Sequence, residues 1–382
     1  MKVLYVNPVF LDYRIPFYKR LNDLFHGNFR VLYSPNRYRS HKFETTLEKI
    51  ERILDGIAIP HQMDFVFYTA SMSFKYNPVS RQIPIPIGLL CHLIKIRPSV
   101  VISEGFLQWT PWSMLYCLLF RKDLYIAYER TIHTERKTPK WMVWHRKLSD
   151  RFVKGYFANG TETKKYLLSI GIDASKIYIG GMCADSQLPA NINKMDFKEK
   201  KNLYEKYHEK EGLTYLYVGR VEHAKGVDYL MDGWKEHYKN NPNDRLLLVG
   251  DGELLKTCQQ YVEYGILALG RVPYDEIYKY FAIADVFVIA TLQDNWSLVV
   301  PEAMICGLPV AVSIYNGCYT DLVREGVNGF CFDPYEKDDI VKTLSKFHNN
   351  DLKAMGTMSK MIEKDFNIFN STQRIFDAIT KH

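Results

Sequence analysis

The stretch Asp294-Asn-Trp-Ser-Leu-Val-Val-Pro-Glu302-Ala-Met-Ile-Cys-Gly307-Leu-Pro-Val310 says more about the fold than any other part of this chain of 382 residues. The residues at the start of this stretch are mostly polar, and those that follow are mostly apolar. This predicts a loop that enters a helix, with Asn295 or Ser297 as the N-cap and Glu302 about one and a half turns inside. Gly307 should end the helix, and Leu308-Pro-Val-Ala-Val312 should form a buried strand.

The start of this helix is a candidate phosphate site. A helix N-terminus presents free N–H groups and the positive end of the helix dipole, so the amides of Ser297, Leu298 and Val299 can hold a phosphate. Asp294 and Glu302 cannot bind the same phosphate, but they can accept hydrogen bonds from hydroxyls on either side of it. A sugar joined to a nucleoside through a diphosphate has this order of hydroxyls, phosphates and ribose.

The same stretch resembles the acid–seven residues–acid signature of the retaining, GT-B-fold glycosyltransferases of family 4, in which a Glu stands at both ends and A-M-x-x-G-x-P-V follows. The second acid, the Ala-Met, the Gly and the Pro-Val match, whereas Asp294 replaces the first Glu. The resemblance is strong across residues 213–335 and weak before 190, and it points to bacterial members that build capsule and O-antigen polysaccharides. An ordinary surface helix with two acids is the less favoured alternative.

The order of the apolar segments also predicts an α/β fold. Strands are predicted at 3–6, 29–33, 100–103 and 124–128, with helices at about 16–25 and 111–120. A second strand–helix alternation begins at residue 213, with strands at 213–219, 245–250, 265–270, 284–289 and 309–313. Together with the resemblance, this predicts the GT-B architecture, in which two doubly wound Rossmann-like domains face each other across a cleft.

The predicted domains are an N-terminal, acceptor-binding domain of residues 1–190 and a C-terminal, donor-binding domain of residues 191–360. Residues 186–212 are polar and suit a linker with a surface helix. The last helix, about 360–382, is expected to pack back on the first domain, as it does in GT-B enzymes.

Length, composition and cysteine content argue against several classes of protein. The length suits two domains, and no apolar run is long enough to predict a membrane-spanning helix. The N-terminus resembles a strand rather than a signal peptide. Seven scattered cysteines without a C-x-x-C pair argue against a disulfide framework or a zinc site, so we expect a cytoplasmic protein.

The net charge of +7 is divided unequally. Residues 1–190 hold 27 Lys and Arg against 15 Asp and Glu, and residues 191–382 hold 23 against 28. The basic half suits an anionic membrane leaflet at the inner face of the cytoplasmic membrane, or an acceptor that carries diphosphate. A solvated basic surface remains an alternative, and nucleic acid is disfavoured because no nucleic-acid-binding motif is present. The apolar segment 108–122 could contact a membrane surface, but a helix buried against the sheet is favoured.

Two cations follow the first strand of the second domain, in Gly219-Arg220-Val-Glu222-His-Ala-Lys225-Gly226. At the mouth of a sheet, Arg220 and Lys225 can neutralise a diphosphate leaving group in place of a metal. The segment resembles the G-R-x-x-x-x-K-G of the family, where Arg and Lys bind the donor diphosphate. We therefore expect no metal and no other cofactor. A pair of solvated loop cations is the alternative.

The resemblance also implies a nucleoside pocket and roles for the two acids. Gly219, Gly250, Arg271 and Val272 would line the pocket, which reads the base through backbone atoms, so the sequence does not identify the base, although a UDP-sugar is favoured. Glu302 would bind the ribose hydroxyls. Asp294 would face hydroxyls of the transferred sugar.

No nucleophile stands out, and the resemblance implies that none is needed. The sugar–phosphate bond would dissociate through an oxocarbenium-like state, and the acceptor would attack the same face, with the departing phosphate as the base. In the first domain, Arg14 is a candidate contact for an acceptor phosphate. Further candidates follow two strands of this domain: Glu104, Glu129, Arg130 and His133.

The favoured function is therefore a retaining, metal-independent glycosyltransferase of hexosyltransferase type. Its expected substrates are a nucleotide-sugar donor and a lipid-linked or oligosaccharide acceptor, in surface polysaccharide synthesis such as that of capsule or lipopolysaccharide. Two alternatives stay open: a catalytically degenerate, nucleotide-sugar-binding partner subunit, and a GT-B-fold nucleotide-sugar epimerase. A nicotinamide-dependent oxidoreductase is disfavoured because no G-x-G-x-x-G follows the first strand.

Overall fold

The computed structural model describes residues 1–35, 52, 54, 56–61, 64–69, 81–86, 88–183, 187–207 and 212–381. Part of the predicted linker, at residues 186 and 208–211, lies outside the described residues. Two parallel sheets with helices on both faces make up the chain, so the predicted GT-B architecture is confirmed.

Among the described residues, the first domain contains nine strands: β1 (Val3–Asn7), β2 (Phe29–Tyr33), β3 (Ala58–Pro60), β4 (Asp64–Thr69), β5 (Arg81–Pro86), β6 (Val100–Glu104), β7 (Asp123–Tyr128), β8 (Gly155–Ala158) and β9 (Ile177–Ile179). Seven of them form a parallel sheet in the order β3-β2-β1-β6-β7-β8-β9, while β4 and β5 pair antiparallel. Alternate residues of β1 enter different cores, Val3 and Tyr5 on one face and Leu4 and Val6 on the other. Burial on both faces explains why the strands are apolar runs.

In the part of this domain that the structure describes, five helices accompany the sheet: α1 (Ile15–Leu24), α2 (Leu89–Ile96), α3 (Thr110–Phe120), α4 (Lys140–Ser149) and α5 (Thr161–Ser169). The helices predicted at 16–25 and 111–120 are confirmed to within one residue. α1 packs on one face of the sheet, whereas residues of α2, α3, α4 and α5 pack on the other face.

The second domain has six parallel strands: β10 (Thr214–Val218), β11 (Arg245–Val249), β12 (Ile266–Gly270), β13 (Val286–Ile289), β14 (Val310–Ser313) and β15 (Gly329–Phe332). Their order is β12-β11-β10-β13-β14-β15, so β10 and β13 are the central neighbours. Because the chain reverses its direction of winding at this pair, the carboxyl ends of β10 and β13 mark the place where a ligand is expected.

The remaining helices are α6 (Leu188–Lys194), α7 (Phe197–Tyr207), α8 (Val227–Asn240), α9 (Leu255–Cys258), α10 (Tyr278–Phe281), α11 (Val299–Cys306), α12 (Tyr319–Leu322), α13 (Lys337–Lys346), α14 (Leu352–Glu363) and α15 (Ile368–Thr380). α14 packs against α11 in the second domain. α15 packs against α1 in the first domain, where Ile375 and Ile379 enter the core and Tyr125 Oη donates to Ala378 O at 3.2 Å. The chain therefore crosses between the domains in the segment after Glu363.

Two further features concern the chain as a whole. All seven cysteines are free. Among the described residues, no helix combines the length and apolar character that crossing a membrane requires.

Candidate active site

Two segments that are far apart in sequence meet at the carboxyl ends of β10 and β13. Lys225 ends a short 3-10 turn after β10, and Asp294 follows β13. The Nζ of Lys225 lies 2.5 Å from Oδ2 of Asp294, and both side chains are about four-fifths buried. The same carboxylate accepts hydrogen bonds from Ser297 Oγ at 2.7 Å and from the Trp296 amide at 3.1 Å. Lys225 and Asp294, which were predicted separately as site residues, thus form one ion pair.

The protonation state of Asp294 follows from these contacts. Burial by itself raises the pKa of the carboxyl group, but the Lys225 ammonium and the hydrogen bonds from Ser297 and Trp296 outweigh burial and leave the pKa below its ordinary value. Asp294 is therefore ionised at neutral pH, and it can accept hydrogen bonds from the hydroxyls of a ligand.

The start of α11 differs from the predicted one. Its N-cap is Leu298, so the prediction of Asn295 or Ser297 is wrong, because the Ser297 hydroxyl donates to Asp294 and does not cap the helix. Glu302 consequently lies in the first turn of α11 and not one and a half turns inside.

The end of the helix agrees better with the prediction. Gly307 ends α11 with a φ of +88°, a conformation that favours glycine. The Leu308 amide then donates to Ala303 O and closes the last turn. The following strand therefore begins at Val310 and not at Leu308.

Donor groups converge at the N-terminus of α11. The Ser297 amide already donates to Asn316 Oδ1 at 3.3 Å. The amides of Leu298 and Val299, and the buried Nδ2 of Asn316, have no hydrogen-bond partner within the described part of the chain. Two of the three amides predicted to hold a phosphate are therefore available. Asn316 was missed by the sequence reasoning, although it follows the carboxyl end of β14, where site residues collect.

The glycine-containing loops after β10 and β11 touch each other. A Cβ built on Gly250 would lie 1.7 Å from Gly219 O, and Gly250 has a φ of +147°, so no other residue fits there. Arg220, in the first of these loops, is two-thirds exposed and donates to Glu222 Oε2 at 2.9 Å. It stands at the predicted edge of the sheet, but it is not part of the Lys225–Asp294 contact.

Glu302 lies on the other side of the α11 N-terminus and is only 4% exposed. Tyr274 Oη donates to Glu302 Oε1 at 3.2 Å. Arg271 is exposed and Val272 is half-buried in the loop after β12 that leads to Tyr274. Sequence reasoning missed Tyr274, although it stands two residues after Val272 in the segment assigned to the nucleoside pocket.

His133 reaches the second domain from the first. Its Nε2 lies 2.9 Å from the carbonyl oxygen of Leu292, which can only accept, so this nitrogen carries a proton. The imidazole also contacts the Tyr315 ring, with centroids 4.5 Å apart. Burial lowers the pKa of His133. The hydrogen bond to Leu292 raises the pKa and the positive charge of Arg136 lowers it, and the net shift is downward. His133 is therefore a neutral side chain close to Asp294.

Arg14 and Glu104 are brought together at the carboxyl edge of the first sheet. The guanidinium is 5% exposed and binds both carboxylate oxygens, at 3.1 and 3.3 Å. Tyr5 Oη donates to the same carboxylate at 2.7 Å. Arg14, a predicted contact of an acceptor phosphate, is thus already engaged by Glu104 in this structure. Tyr5 was not predicted, because its role depends on a partner 99 positions away.

Glu129 and Arg130 have different surroundings. Burial raises the pKa of Glu129, and the negative charges of Glu104 and Asp294 raise it further. The positive charges of Arg14 and Arg130 lower the pKa but do not cancel the rise. Glu129 therefore retains a proton more readily than an ordinary glutamate side chain does. Arg130 is half-exposed, and its Nε lies 3.3 Å from Glu135.

Direct contacts join the two domains beside this site. Asp321 of the second domain accepts hydrogen bonds from the amide and the hydroxyl of Thr161, at 2.7 and 2.6 Å, at the start of α5. Trp296 packs so closely on Gly160 that a Cβ there would lie 2.3 Å from the indole ring. The site residues of both domains consequently face one cleft.

Comparisons with known proteins agree with this geometry. Residues 198–365 match the profile of the family described as glycosyl transferases group 1. The alpha-monoglucosyldiacylglycerol synthase of Acholeplasma laidlawii is 31% identical over 154 residues, which are 39% of this chain and 37% of that protein. An Escherichia coli UDP-Gal:alpha-D-GlcNAc-diphosphoundecaprenol alpha-1,3-galactosyltransferase is 29% identical over 220 residues, 54% of each chain. The match thus spans from about a third to about half of these curated relatives.

Solved structures resemble the whole chain. Anabaena Alr3699/HepE in complex with UDP superimposes with a TM-score of 0.73 at 16% identity, covering 100% of both chains. The apo form of the lipopolysaccharide outer core galactosyltransferase WaaB gives a TM-score of 0.68 at 16% identity, covering 100% of this chain and 99% of that one. At these identities the likeness supports the fold.

Proposed function

We propose, from the match of residues 198–365 to the family described as glycosyl transferases group 1, that the chain is a retaining, metal-independent glycosyltransferase. It would transfer a sugar from a nucleoside diphosphate sugar, a UDP-sugar before others, to a lipid-linked or oligosaccharide acceptor in surface polysaccharide synthesis. The observation that carries the proposal is the contact of Lys225 with Asp294 beside the unpartnered amides of α11. A cation, a carboxylate and free backbone N–H groups therefore lie together at the N-terminus of α11.

Each group has a task in this reaction. Lys225 and the amides of Leu298 and Val299 would bind the diphosphate, and they would stabilise the charge that develops as it leaves. Lys225 would then exchange its contact with Asp294 for one with phosphate, which frees the Asp294 carboxylate for sugar hydroxyls. Glu302 would exchange the Tyr274 hydroxyl for a ribose hydroxyl. The site supplies positive charge through the protein, which supports a route without metal.

The acceptor side would be formed by the first domain. His133 is neutral and stands near the place of the transferred sugar, where its ring can position a hydroxyl. Glu129 has a raised pKa, so it can donate a hydrogen bond to the acceptor or to the sugar. The departing phosphate would take the proton of the attacking hydroxyl, and attack on the same face would retain the anomeric configuration. Arg14, Glu104 and Arg130 are proposed to shape this side.

The substrates of similar proteins support this choice. HepE was solved with UDP and with UDP-glucose, and the E. coli relative uses UDP-Gal and a diphosphoundecaprenol acceptor. The A. laidlawii relative is named for a glycosylated diacylglycerol, and another relative is a lipopolysaccharide 1,2-N-acetylglucosaminetransferase. A lipid-linked acceptor on the cytoplasmic side is therefore proposed before a free oligosaccharide.

The test is transfer from a panel of UDP-, GDP- and ADP-sugars to a lipid extract, with nuclear magnetic resonance of the product to read the anomeric configuration. We expect one donor class to be used, with retention, and at the same rate in the presence of EDTA. Lys225→Ala should lower turnover about a hundredfold or more, as the loss of one charge-stabilising donor does. Lys239→Ala, a substitution of a two-thirds exposed lysine on α8, is the matched control and should leave turnover unchanged.

The same assay separates the alternatives. An epimerase would convert the donor without any acceptor. A degenerate partner subunit would bind the donor but remain inactive, both as the natural protein and as Asp294→Glu, which restores the family's Glu. Inversion of configuration, or activity that EDTA abolishes, would contradict the proposed mechanism.

A further inference from the structure

The first domain carries a broad apolar surface that faces solvent. α3 and α4 lie on the same face of the first sheet, where they connect β6 to β7 and β7 to β8. Large side chains on both helices point outward, with 61% of Trp141 and 66% of Trp144 exposed. The outward residues include Trp112, Leu115 and Leu119 on α3 and Trp141, Trp144 and Leu148 on α4.

The spacing of these residues makes them two continuous stripes. Trp141, Trp144 and Leu148 are three and four positions apart, so they share one face of α4. α3 is apolar on both sides, since Tyr116 and Cys117 pack on the sheet while Leu115 and Leu119 face outward. The sequence favoured a helix buried against the sheet for this segment. The structure buries only its inner side.

The charged residues next to the stripes are mainly basic. Arg121 and Lys122 follow α3 directly, and α4 contains Lys140, Arg146 and Lys147 and no Asp or Glu, although Arg146 is buried in an ion pair with Glu135. The acids that follow, Asp123 and Asp150, are paired with Lys154 and Lys176. Lys140 and Lys147 are exposed on α4 itself, beside the tryptophans. An apolar face with Trp side chains and a border of cations complements a lipid surface, where the acyl boundary takes the apolar groups and anionic head groups take the cations.

We propose that the outward face of α3 and α4 docks on an anionic lipid membrane. The chain enters α3 and α4 from the carboxyl ends of β6 and β7, where Glu104 and Glu129 lie. The amino-terminal ends of both helices are therefore directed toward the edge of the sheet that carries the proposed acceptor side of the cleft. A lipid-linked acceptor can then present its polar group to the cleft while its chain stays in the bilayer. Docking does not depend on the donor chemistry, so this proposal and the proposed transferase activity can fail separately.

The test is flotation of the full chain with vesicles made of equal parts of phosphatidylglycerol and phosphatidylcholine, and with vesicles of phosphatidylcholine alone. We expect binding to the anionic vesicles, with much weaker binding to the neutral ones. The double variant Trp141→Ser/Trp144→Ser should lower the partition coefficient about tenfold or more, because it removes the apolar anchors. The double variant Lys140→Glu/Lys147→Glu should lower it about twentyfold or more.

Two control variants, with substitutions in the second domain, test whether vesicle binding depends on the outward face of α3 and α4. Phe197→Ser removes an aromatic side chain that is 80% exposed on α7, and Lys201→Glu/Lys239→Glu reverses two exposed cations of the second domain. Both should bind vesicles like the natural protein, and unchanged thermal unfolding of every variant should show that all are folded. Failure of the natural protein to bind anionic vesicles would overturn the proposal. It would also be overturned by equal binding of the tryptophan variant, or by a stable dimer that these substitutions dissociate.

Discussion

Glu363 makes the stability of the chain depend on pH. This carboxyl group ends α14, directly before the chain crosses to the first domain, and it is 4% exposed. Burial raises its pKa from the ordinary 4.5 to about 7. The unfolded chain therefore loses the Glu363 proton at lower pH than the folded chain does. Below the pKa that Glu363 has in the unfolded chain, the group is protonated in both states and does not change the free energy of unfolding. As the pH rises toward the pKa in the folded chain, the buried group lowers the free energy of unfolding progressively.

The size of the effect follows from the two pKa values. A difference between 4.5 and about 7 corresponds to roughly 3 kcal/mol of destabilisation above pH 7, as an upper figure. Glu363→Gln keeps the shape of the side chain and removes its charge. It should therefore stabilise the protein by up to about 3 kcal/mol at pH 8, or roughly 6–12 °C in Tm for a domain of ordinary size, and hardly at all near pH 4.5.

Thermal and urea unfolding of both proteins between pH 4.5 and pH 8 measure this difference. Glu205→Gln is the control, since Glu205 is 61% exposed on α7 and should change the free energy of unfolding by less than about 0.5 kcal/mol at either pH. A Glu363→Gln variant with the same stability gain at both pH values, or with none at either, would refute the account of this buried carboxyl group.

Three further substitutions test contacts that hold the fold and the cleft. Asp321→Ala removes both acceptors of the Thr161 cap, so it should cost about 1–2 kcal/mol in urea unfolding and increase the rate of limited proteolysis between the domains. Asp244→Ala leaves two histidines and the Leu213 amide without their buried acceptor, so it should cost about 3 kcal/mol or more in the same measurement. Gly160→Ala would push Trp296 away, so small-angle scattering should show a wider molecule and kcat/KM should fall, whereas an unchanged scattering profile would speak against the tight contact.

The second domain was predictable because its signals are local. Each strand is a short apolar run, and the residues of the proposed donor site follow strand ends within a few positions. The contact between Lys225 and Asp294 follows from this logic, since β10 and β13 are neighbours at the reversal of the sheet. The N-cap of α11 was predicted wrongly because the Ser297 side chain is engaged by Asp294 and does not accept a hydrogen bond from the helix amides, and residue type alone does not show which partner a serine takes.

The first domain was less predictable because its site depends on pairs that are distant in sequence. Arg14 and Glu104 are 90 positions apart, and only the pairing of β1 with β6 brings them into one ion pair. The segment 108–122 illustrates a different difficulty. Its composition shows that both sides of α3 are apolar, but which side meets the sheet, and what remains exposed, depends on packing.

We propose that the N-terminus of α11 and Lys225 form the diphosphate site of a nucleotide-sugar donor. This site can be tested by thermal unfolding with UDP, GDP, ADP and NAD, each with and without magnesium. Ligand at a hundred times its dissociation constant should stabilise the protein by about 2.7 kcal/mol. We expect a rise in Tm with one nucleoside diphosphate, UDP before the others, that is independent of magnesium, lost in Lys225→Ala and kept in Lys239→Ala. No rise with any of the four ligands, or an equal rise in Lys225→Ala, would show that Lys225 and α11 do not form a diphosphate site.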